Sequence, residues 1–381
     1  MALSPFTFLR GTAALMAHDL GPLPRSGVEV QVCGDAHVLN LGAYAAPDGH
    51  LVFDVDDFDE TCRGPFEWDL KRMAVSLAVA GREARYKERQ NRDAVRRLVR
   101  AYRESLALFS EMRVLELARF EIGRGSGGKS LSPIFEQAAR DSPRALLGKV
   151  TKRDGDGYAQ FQSKPPLLAR LKPAEADRVL RSFSAYRATL GIARQQVLDR
   201  YVSRDVAFKV SGTGSVGVES YLVLLFGNGR GDPLFLQIKE QDASCWSRYL
   251  GTAKAYSLSY PHQGRRVAEG QLRAQTVSDP FLGWTQLAGR EFLVRQWSDH
   301  KATLDVSMLR NGVLEDYATL CGEVLAKAHA RTGDPPLLAG YCGRSDSLDA
   351  AIARFALAYA DQVEADYVAF RKATRAGRVN L

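Results

Sequence analysis

Three short β-rich runs between residues 205 and 240 constrain the fold of this chain more than any other feature. The runs are VAFKV, ESYLVLLF and LFLQIKE, separated by the glycine-rich stretches SGTGSVG and GNGRGDP. Apolar runs of this length, bounded by glycine and proline, predict strands joined by turns. Helical spacing of apolar residues precedes and follows this unit, so the sequence predicts an α+β chain with an antiparallel β unit between helical parts.

Apolar residues spaced by three or four positions predict the helices. Leu70, Met73 and Leu77 belong to one such series, in a helical region from Trp68 to about Tyr201 with loops at 123–134 and 151–166. The later predicted elements are a helix with Val267 and Leu272, a strand at Glu291–Gln296, and helices from Leu314 onward with Leu320, Val324, Leu325 and Ala328 on one stripe. The resulting division is a helical part at residues 1–204, a small β part at 205–297 and a helical tail at 298–381.

The first 67 residues combine a short helix with a hairpin. A helix is predicted around Phe6–Ala17, and two short strands at Leu41–Ala45 and Leu51–Val55 flank the turn residues Pro47-Asp48-Gly49. The hairpin is followed at once by an acidic run, which makes it the most chemically informative part of this region.

Charge and composition narrow the class of protein. The formal net charge is +8 and the isoelectric point is about 9.2, which suits anionic ligands such as nucleotides. The excess is spread along the chain, and its densest stretch, Arg82–Arg103, has a helical pattern, so a solvated basic face is favoured over a nucleic-acid surface. No apolar stretch approaches a membrane span, and no secretory leader precedes residue 20, so a cytoplasmic protein is expected. Five scattered cysteines suggest reduced thiols.

The first chemical motif is CGDAHVLN at residues 33–40, followed by the hairpin and a run of five acids. Asp35 precedes Asn40 by five residues, and Asp54, Asp56, Asp57, Asp59 and Glu60 come after the hairpin strand. Phosphoryl transfer needs a carboxylate that orients or deprotonates the acceptor, and an amide with a carboxylate that hold Mg²⁺. The alternative is an acidic surface hairpin. A nearby motif, EWDLKR, begins a helix, and Asp69 there either caps the helix or binds the backbone of the Asp35 loop.

The second motif is a glycine loop with a later lysine. Gly212, Gly214 and Gly217 satisfy G-x-G-x-x-G, and the β-rich residues after Gly217 favour a loop between antiparallel strands over a dinucleotide-binding turn, which leads into a helix. Lys239 would then contact phosphate, with Glu269 as its ion-pair partner. The alternative is a glycine-rich hairpin with a surface lysine.

A competing phosphate-binding motif occurs at residues 123–130. The stretch GRGSGGKS fits G-x-x-x-x-G-K-S, with Lys129 as its lysine and LVFD at residues 51–54 as a possible partner strand. That loop must leave a buried strand and enter a helix directly, whereas here a helical pattern precedes it and Pro133 follows. The sequence therefore favours a linker at this position.

The motifs together carry a resemblance. CGDAHVLN, the hairpin, DFDET and EWDLKR resemble the catalytic segment of the aminoglycoside and choline phosphotransferase branch of the protein-kinase-like superfamily. The whole chain more closely resembles an uncharacterised bacterial family with the blocks SPFTFLRG, CGDAHVLNLG, LVFDVDDFDET, EWDLKR, GTGSVG, PLFLQIKE, HQGRRVAEGQ and AKAHARTGD. Cys33 stands where the kinase-like relatives have histidine. An upstream element of related proteins is also expected to be absent here.

The kinase resemblance implies a role for each matching residue. Asp35 would be the catalytic base, Asn40 a Mg²⁺ ligand, the glycines the cover over ATP, and Lys239 with Glu269 the lysine–glutamate pair. Counting along the motif leaves Asp57 and Asp54 as alternatives for the second metal ligand, with Asp57 preferred, while His37 and Asp69 would support the site. The cofactors implied are ATP and Mg²⁺.

The order of these motifs implies a rearranged, two-lobed kinase-like fold. The glycine loop and lysine follow the Asp35 segment, which reverses the kinase order, so a circular permutation is required; near termini make one tolerable. The expected function is phosphoryl transfer from ATP to an unknown small-molecule or protein acceptor. Adenylyl transfer, a nucleotide-binding pseudokinase and, more remotely, a nucleic-acid-binding protein remain the alternatives.

Overall fold

The chain folds into helices and antiparallel sheets. A computed structural model describes residues 1–125, 132–153, 157–210, 217–250, 261–297, 300–309 and 312–378. Within them, about half of the chain is helical, and every pair of neighbouring strands is antiparallel. The predicted α+β class is confirmed. No helix in these ranges is long and apolar enough to cross a membrane.

The helices and strands are named here in chain order. The helices are α1 (Pro5–Arg10), α2 (Ala13–Leu20), α3 (Phe66–Glu83), α4 (Glu88–Glu111), α5 (Val114–Arg119), α6 (Ser132–Arg140), α7 (Pro143–Val150), α8 (Pro173–Arg181), α9 (Phe183–Thr189), α10 (Ile192–Leu198), α11 (Gln263–Ala274), α12 (Val313–Thr332), α13 (Pro335–Cys342) and α14 (Ser347–Arg375). The strands are β1 (Glu29–Val32), β2 (Leu41–Ala45), β3 (Leu51–Val55), β4 (Cys62–Pro65), β5 (Thr151–Arg153), β6 (Ala159–Phe161), β7 (Leu168–Arg170), β8 (Val202–Lys209), β9 (Ser220–Phe226), β10 (Pro233–Glu240), β11 (Gly283–Leu287), β12 (Arg290–Gln296) and β13 (Ala302–Thr303).

Helices α3, α4, α12 and α14 form the centre of a helical body. The predicted stripe of α12 is buried, with Leu320 and Val324 inaccessible to solvent. Helix α12 runs against α4, and Gly322 permits this approach, because a Cβ there would lie 2.3 Å from the carbonyl oxygen of Leu98. The C-terminal helices thus share one core with α3 and α4.

The hairpin β2–β3 has the predicted bounds and rests on this body. Leu41 pairs with Val55 and Ala45 with Leu51, and β13 adds a third strand beside β2. The predicted N-terminal helix is two helices, because the chain turns at Gly11 and Thr12 between α1 and α2. Strands β1 and β4 form a separate pair that leads directly into α3.

The largest sheet has six strands in the order β11-β12-β10-β9-β8-β7. Its central strands are the predicted β unit, with β12 as the predicted later strand. Strand β7 was not predicted. The buried side chains of α8–α10, including Val179 and Tyr186, share a hydrophobic cluster with Val223 and Ile238 of the sheet. Residues 168–198 therefore pack with the sheet, whereas the sequence grouped them with the helical part, because helical periodicity does not reveal which layer an apolar face covers.

Candidate functional site

The loop after β1 holds the predicted catalytic carboxylate in a constrained turn. Gly34 has φ of +83°, and a Cβ at this position would lie 2.0 Å from the carbonyl oxygen of Glu60. Only glycine fits both constraints. From the first turns of α3, Asp69 accepts hydrogen bonds from the backbone N–H groups of Cys33 (2.7 Å) and Gly34 (2.9 Å). This is the loop contact that the sequence suggested for Asp69.

Asp35 is held by an arginine that the sequence reasoning missed. Arg72 donates to Asp35 Oδ1 from Nε (2.8 Å) and lies 2.7 Å from it through Nη2. Arg72 is fully buried, and its Nη2 also donates to the carbonyl oxygen of Leu9 at 2.7 Å, whereas the Asp35 side chain stays 20% exposed. The available signal was the helical spacing in EWDLKR, because Arg72 follows Asp69 by three residues and shares its face of α3.

His37 and Asn40 complete the loop. Leu39 N–H donates to His37 Nδ1 at 3.2 Å, and burial together with the charges of Arg72 and Arg10 lowers the pKa of His37 to about 4, against the opposite effect of Asp35. His37 is therefore neutral near pH 7, and its Nδ1 accepts a hydrogen bond from the backbone of its own loop. Asn40 donates through Nδ2 to the carbonyl oxygen of Asp35 (2.8 Å), and its Oδ1 has no hydrogen-bond partner among the described residues.

The two alternatives for the second metal ligand differ sharply in their surroundings. Asp54 is buried beside Lys327 of α12, with which it forms an ion pair, and its Oδ1 accepts from Val55 N–H. Asp57 lines the cavity described below. Burial by itself raises the pKa of Asp57, but the charges of Lys239 and Arg295 outweigh it, so this pKa lies below its usual value. Asp54 is thus committed to Lys327, and Asp57 is the carboxylate accessible to a ligand.

Lys239 projects from β10 toward the acidic run. It forms an ion pair with Asp59, which also accepts from Gln241 Nε2 at 3.0 Å. Burial disfavours the charged amine, but Asp59 and Asp57 raise the pKa of Lys239 above its ordinary value. Lys239 lies opposite Ser220 in the β9–β10 ladder, so the residues between Gly217 and Lys239 form a hairpin, and the lysine returns to the end of the glycine loop.

The predicted pairing of Lys239 with Glu269 is wrong. Glu269 binds Arg265 (2.6 Å) and Arg273 (3.0 Å), which lie one turn before and after it on the same half-exposed side of α11. The side of α11 that meets the acidic run carries Arg266, whose guanidinium donates to the carbonyl oxygen of Asp59 at 2.8 Å. The carboxylate that meets Lys239 therefore comes from the acidic run itself.

Two further cations on the sheet were missed by the sequence reasoning. Lys209 ends β8, and Arg295 lies on β12 with its Nε 3.3 Å from Gln237 Oε1. Burial and the charges of Arg295, Lys239 and Lys301 lower the pKa of Lys209 to about 8. Among the described residues, no carboxylate lies within 4 Å of the Lys209 amine. Strand periodicity could have suggested Lys209, because it ends the strand that enters the glycine loop.

Residues from the Asp35 loop, the acidic run, α1 and the sheet line one cavity of about 610 Å³. Its volume falls in the range of small-molecule sites. The Asp35 loop and the acidic run supply Asp35, His37, Asn40, Asp57, Asp59 and Glu60; the sheet and the residues after it supply Lys209, Gln237, Lys239, Arg295, Gln296, Trp297 and Lys301; α1 supplies Arg10. Gly11, Ala13, Ala14, Gln137, Ala302 and Thr303 complete the lining. The structure thus brings Asp35, Asn40, Asp57 and Lys239 together and excludes Asp54 and Glu269.

The two glycine motifs are only partly described. Gly212 and Gly214 lie outside the described residues, while Gly217, with φ of +96°, precedes β9. The motif joins the neighbouring antiparallel strands β8 and β9, as expected for this loop type. In the competing motif, Lys129 lies outside the described residues. The described residues before it form α5 and an isolated bridge between Gly123 and Val52, so they do not contain the buried strand that a phosphate-binding loop requires.

The cavity offers few side-chain oxygens that could bind Mg²⁺ directly. The described residues contain no group of three or more His, Cys, Asp or Glu side chains arranged to hold a metal. Mg²⁺ usually takes one or two protein oxygens and fills its shell with phosphate and water. The Oδ1 of Asn40 and the ionised carboxylate of Asp57 are compatible with that mode, in which a nucleotide supplies the other oxygens.

Comparison with known proteins identifies a family without adding a function. No curated protein and no solved structure matches the chain. The predicted likeness to kinases therefore gains no support from relatives. The family described as "Uncharacterized protein conserved in bacteria (DUF2252)" matches residues 1–373, nearly the whole length. The chain belongs to this bacterial family, as its sequence blocks indicated.

Proposed function

We propose that this protein is an ATP-dependent phosphotransferase that transfers the γ-phosphoryl group of ATP to a hydroxyl of an acceptor. One observation carries the proposal: Asp35, Asn40 and Asp57 share a single cavity with Lys239, Lys209 and Arg295. Phosphoryl transfer needs such a combination, because the protein must orient a nucleophile and neutralise the charge that spreads over the phosphates.

On the loop side, Asp35 is the group that orients the acceptor hydroxyl. Its Oδ1 is bound by Arg72, so this oxygen is fixed, while Oδ2 lies 3.9 Å from His37 Nε2. A fixed carboxylate of this kind suits a loose transition state in which the hydroxyl is positioned and its proton leaves late. The fixed orientation follows from Asp69 and Arg72 on one face of α3.

On the sheet side, Lys239, Lys209 and Arg295 bind the phosphates. Lys239 is positioned by Asp59, whereas Lys209 lacks a carboxylate partner among the described residues. Burial and three neighbouring cations lower the pKa of the Lys209 amine, and a bound anion stabilises its charged form because the anion offsets their repulsion. Mg²⁺, bound through Asn40 and Asp57, would neutralise further charge on the phosphates.

The proposed transfer needs no reactant besides ATP and the acceptor hydroxyl. The acceptor oxygen forms a bond to the γ-phosphorus as the bond from that phosphorus to the β–γ bridging oxygen breaks. The hydroxyl proton passes to Asp35 and then to solvent. The products are ADP and a phosphorylated acceptor.

The same arrangement leads us to propose the two-lobed, kinase-like fold as well. In this view the sheet β7–β12 covers the nucleotide, and the helical body supplies the Asp35 loop. The loop precedes the sheet in the chain, so the likeness requires a circular permutation. The C-terminal return of α12 to the core beside α3 and α4 is compatible with this connection.

The test measures nucleotide binding and turnover in matched variants. Titration calorimetry with Mg-ATP compares wild type with Lys239→Met, Lys209→Gln and the control Lys149→Met, an exposed lysine outside the cavity. We expect the cavity variants to bind at least about tenfold more weakly, and the control to bind normally. Turnover is followed by separating ADP from AMP, with water as the acceptor. Asp35→Asn should keep Mg-ATP affinity and lose ADP formation.

Several outcomes would contradict the proposal. Wild type that binds no Mg-ATP, or cavity variants that bind like wild type, would exclude a nucleotide site here. Tight binding without turnover would favour a pseudokinase. Release of AMP would instead indicate adenylyl transfer. Circular dichroism of each variant separates loss of binding from loss of folding.

A further inference from the structure

The last residue of α1 brings a second positive charge to the Asp35 side of the cavity. Arg10 lines the cavity with Gly11, Ala13 and Ala14 at the turn between α1 and α2. Arg10 is held close to Asp35, because Arg72 donates hydrogen bonds both to Asp35 Oδ1 and to the carbonyl oxygen of Leu9, the residue before Arg10. Arg10 therefore lies next to the loop rather than among the cations of the sheet.

Arg10 is not committed to any group of the described chain. Its Nε is buried and has no hydrogen-bond partner, and no carboxylate of a described residue lies within 4 Å of its guanidinium. The other arginine at this side, Arg72, satisfies its donors on Asp35, Leu9 and Met16. A buried guanidinium donor without an acceptor costs free energy, so such a group in a cavity wall points to an anion that binds there.

The positive charges of the cavity form two zones, one at Arg10 beside the Asp35 loop and one at the cations of the sheet. The charge of Arg10 acts on His37 in the Asp35 loop, whereas Lys239, Arg295 and Lys301 act on Lys209. The sheet zone is the one assigned above to the phosphates of ATP. The zone of Arg10 lies beside the carboxylate assigned to the acceptor hydroxyl.

We infer that Arg10 binds an oxyanion of the acceptor, so that the acceptor is a small hydroxyl compound carrying a carboxylate or phosphate group. This inference rests on the proposed function and names its substrate class. The planar guanidinium of Arg10 would bind two oxygens of the anion. Asp35 then orients the hydroxyl of the same molecule. A neutral acceptor would leave Nε of Arg10 unpaired in the cavity.

The experiment uses pairs of probes that differ only in their anionic group. Thermal unfolding of the full chain, saturated with Mg-ADP, is followed with glycerophosphate against glycerol, and with gluconate against sorbitol, its neutral open-chain counterpart. The nucleotide occupies the sheet zone, so an added anion reports on the Arg10 zone. The variants are Arg10→Gln, Arg10→Lys and the control Arg89→Gln, an arginine that is 91% exposed on α4.

We expect at least one anionic probe to stabilise wild type and the control, while its neutral partner does not. Arg10→Gln should bind that probe about tenfold to a hundredfold more weakly and keep its shift with Mg-ADP. Arg10→Lys should retain part of the affinity, since it keeps the charge and loses the second donor. The inference is overturned if Arg10→Gln responds like wild type, if neither anion stabilises wild type, or if Arg10→Gln loses the Mg-ADP shift as well.

Failure of the proposed function gives a different pattern. If Mg-ADP stabilises no variant but an anionic probe still stabilises wild type and not Arg10→Gln, the Arg10 anion site stands and the nucleotide assignment falls. Release of ADP from Mg-ATP, stimulated by the anionic probe in wild type and lost in Arg10→Gln, would support both.

Discussion

The two sides of the cavity handle charge in opposite ways. On the helical-body side the carboxylates are held by partners within the protein: Asp35 by Arg72, Asp69 by the backbone of the loop, and Asp54, outside the cavity, by Lys327. On the sheet side, Lys239 is paired with Asp59, but Lys209 has no carboxylate within 4 Å among the described residues, and Arg295 donates from Nε to the neutral Gln237. The first side is organised before any ligand arrives, whereas the second retains capacity for an anion. This difference is what a site needs when it must orient a nucleophile and accept phosphates.

The largest effect should come from breaking a buried pair on the helical-body side. Lys327→Met leaves Asp54 buried without a cation, and this costs about 3–5 kcal/mol of the free energy of unfolding. The double variant Lys327→Met, Asp54→Leu should recover most of that loss, since no charge is left unpaired. Urea unfolding measures both. Equal stability of wild type and Lys327→Met would mean that the pair contributes nothing.

A second variant tests the geometry of the Asp35 loop. Gly34→Ala adds a Cβ against the carbonyl oxygen of Glu60 at a position with positive φ, so we expect a loss of about 3 kcal/mol or more. Gly27→Ala is the matched control, because Gly27 has φ of +78° and open space around its Cβ position. The control should lose only about 1 kcal/mol. Urea unfolding again decides, and similar losses in both would show that the contact with Glu60 can relax.

The contribution of Lys209 on the sheet side should appear as a pH dependence of Mg-ATP affinity. The pKa of Lys209 is about 8, and only the protonated amine attracts phosphate, so Mg-ATP affinity should fall about tenfold between pH 7 and pH 9. Lys209→Arg keeps its charge over this range and should remove that dependence, while Lys209→Gln should bind weakly at both pH values. Calorimetry at the two pH values provides the measurement. An unchanged pH dependence in Lys209→Arg would assign the titration to another group.

The smallest effect should come from Glu269, which the sequence placed in the site and the structure places outside it. Glu269→Gln removes two partly exposed ion pairs on α11, which together contribute no more than about 1 kcal/mol. Mg-ATP affinity should stay unchanged in the same calorimetric assay. A tenfold loss of affinity would restore Glu269 to the nucleotide site and weaken the contrast between the two sides.

Local patterns predicted much of the secondary structure. The hairpin bounds, the three central strands of the large sheet and the buried stripe of α12 follow from periodicity and turn residues, which act over a few positions. The other strands and the break after Gly11 were missed, because most of these strands have two to four residues, and so short a strand or a two-residue turn gives almost no periodic signal. The missed strands are β1, β4, β5, β6, β7, β11 and β13.

The same distinction between local sequence pattern and tertiary packing applies to the residues of the candidate site. Residue type and spacing were enough to single out Asp35, Asn40, Lys239 and the alternatives Asp57 and Asp54, since CGDAHVLN and the acidic run restrict where carboxylates and an amide can meet. Spacing could not distinguish Asp57 from Asp54, because the two lie three residues apart and differ only in what packs against them.

The sequence by itself therefore determined the fold class, the hairpin and central strands of the large sheet, and the residue types available for chemistry. The tertiary structure decided which charges meet: Lys327 at Asp54, Asp59 at Lys239, Arg72 at Asp35, and Arg10 and Lys209 in the cavity without a carboxylate partner among the described residues. The physical reason is that these partners lie from 37 to 273 residues apart in the chain. Only tertiary packing brings them within the few ångströms over which an ion pair forms: packing of the sheet against the helical body for Lys239 and Asp59, and packing within the helical body for the other two pairs.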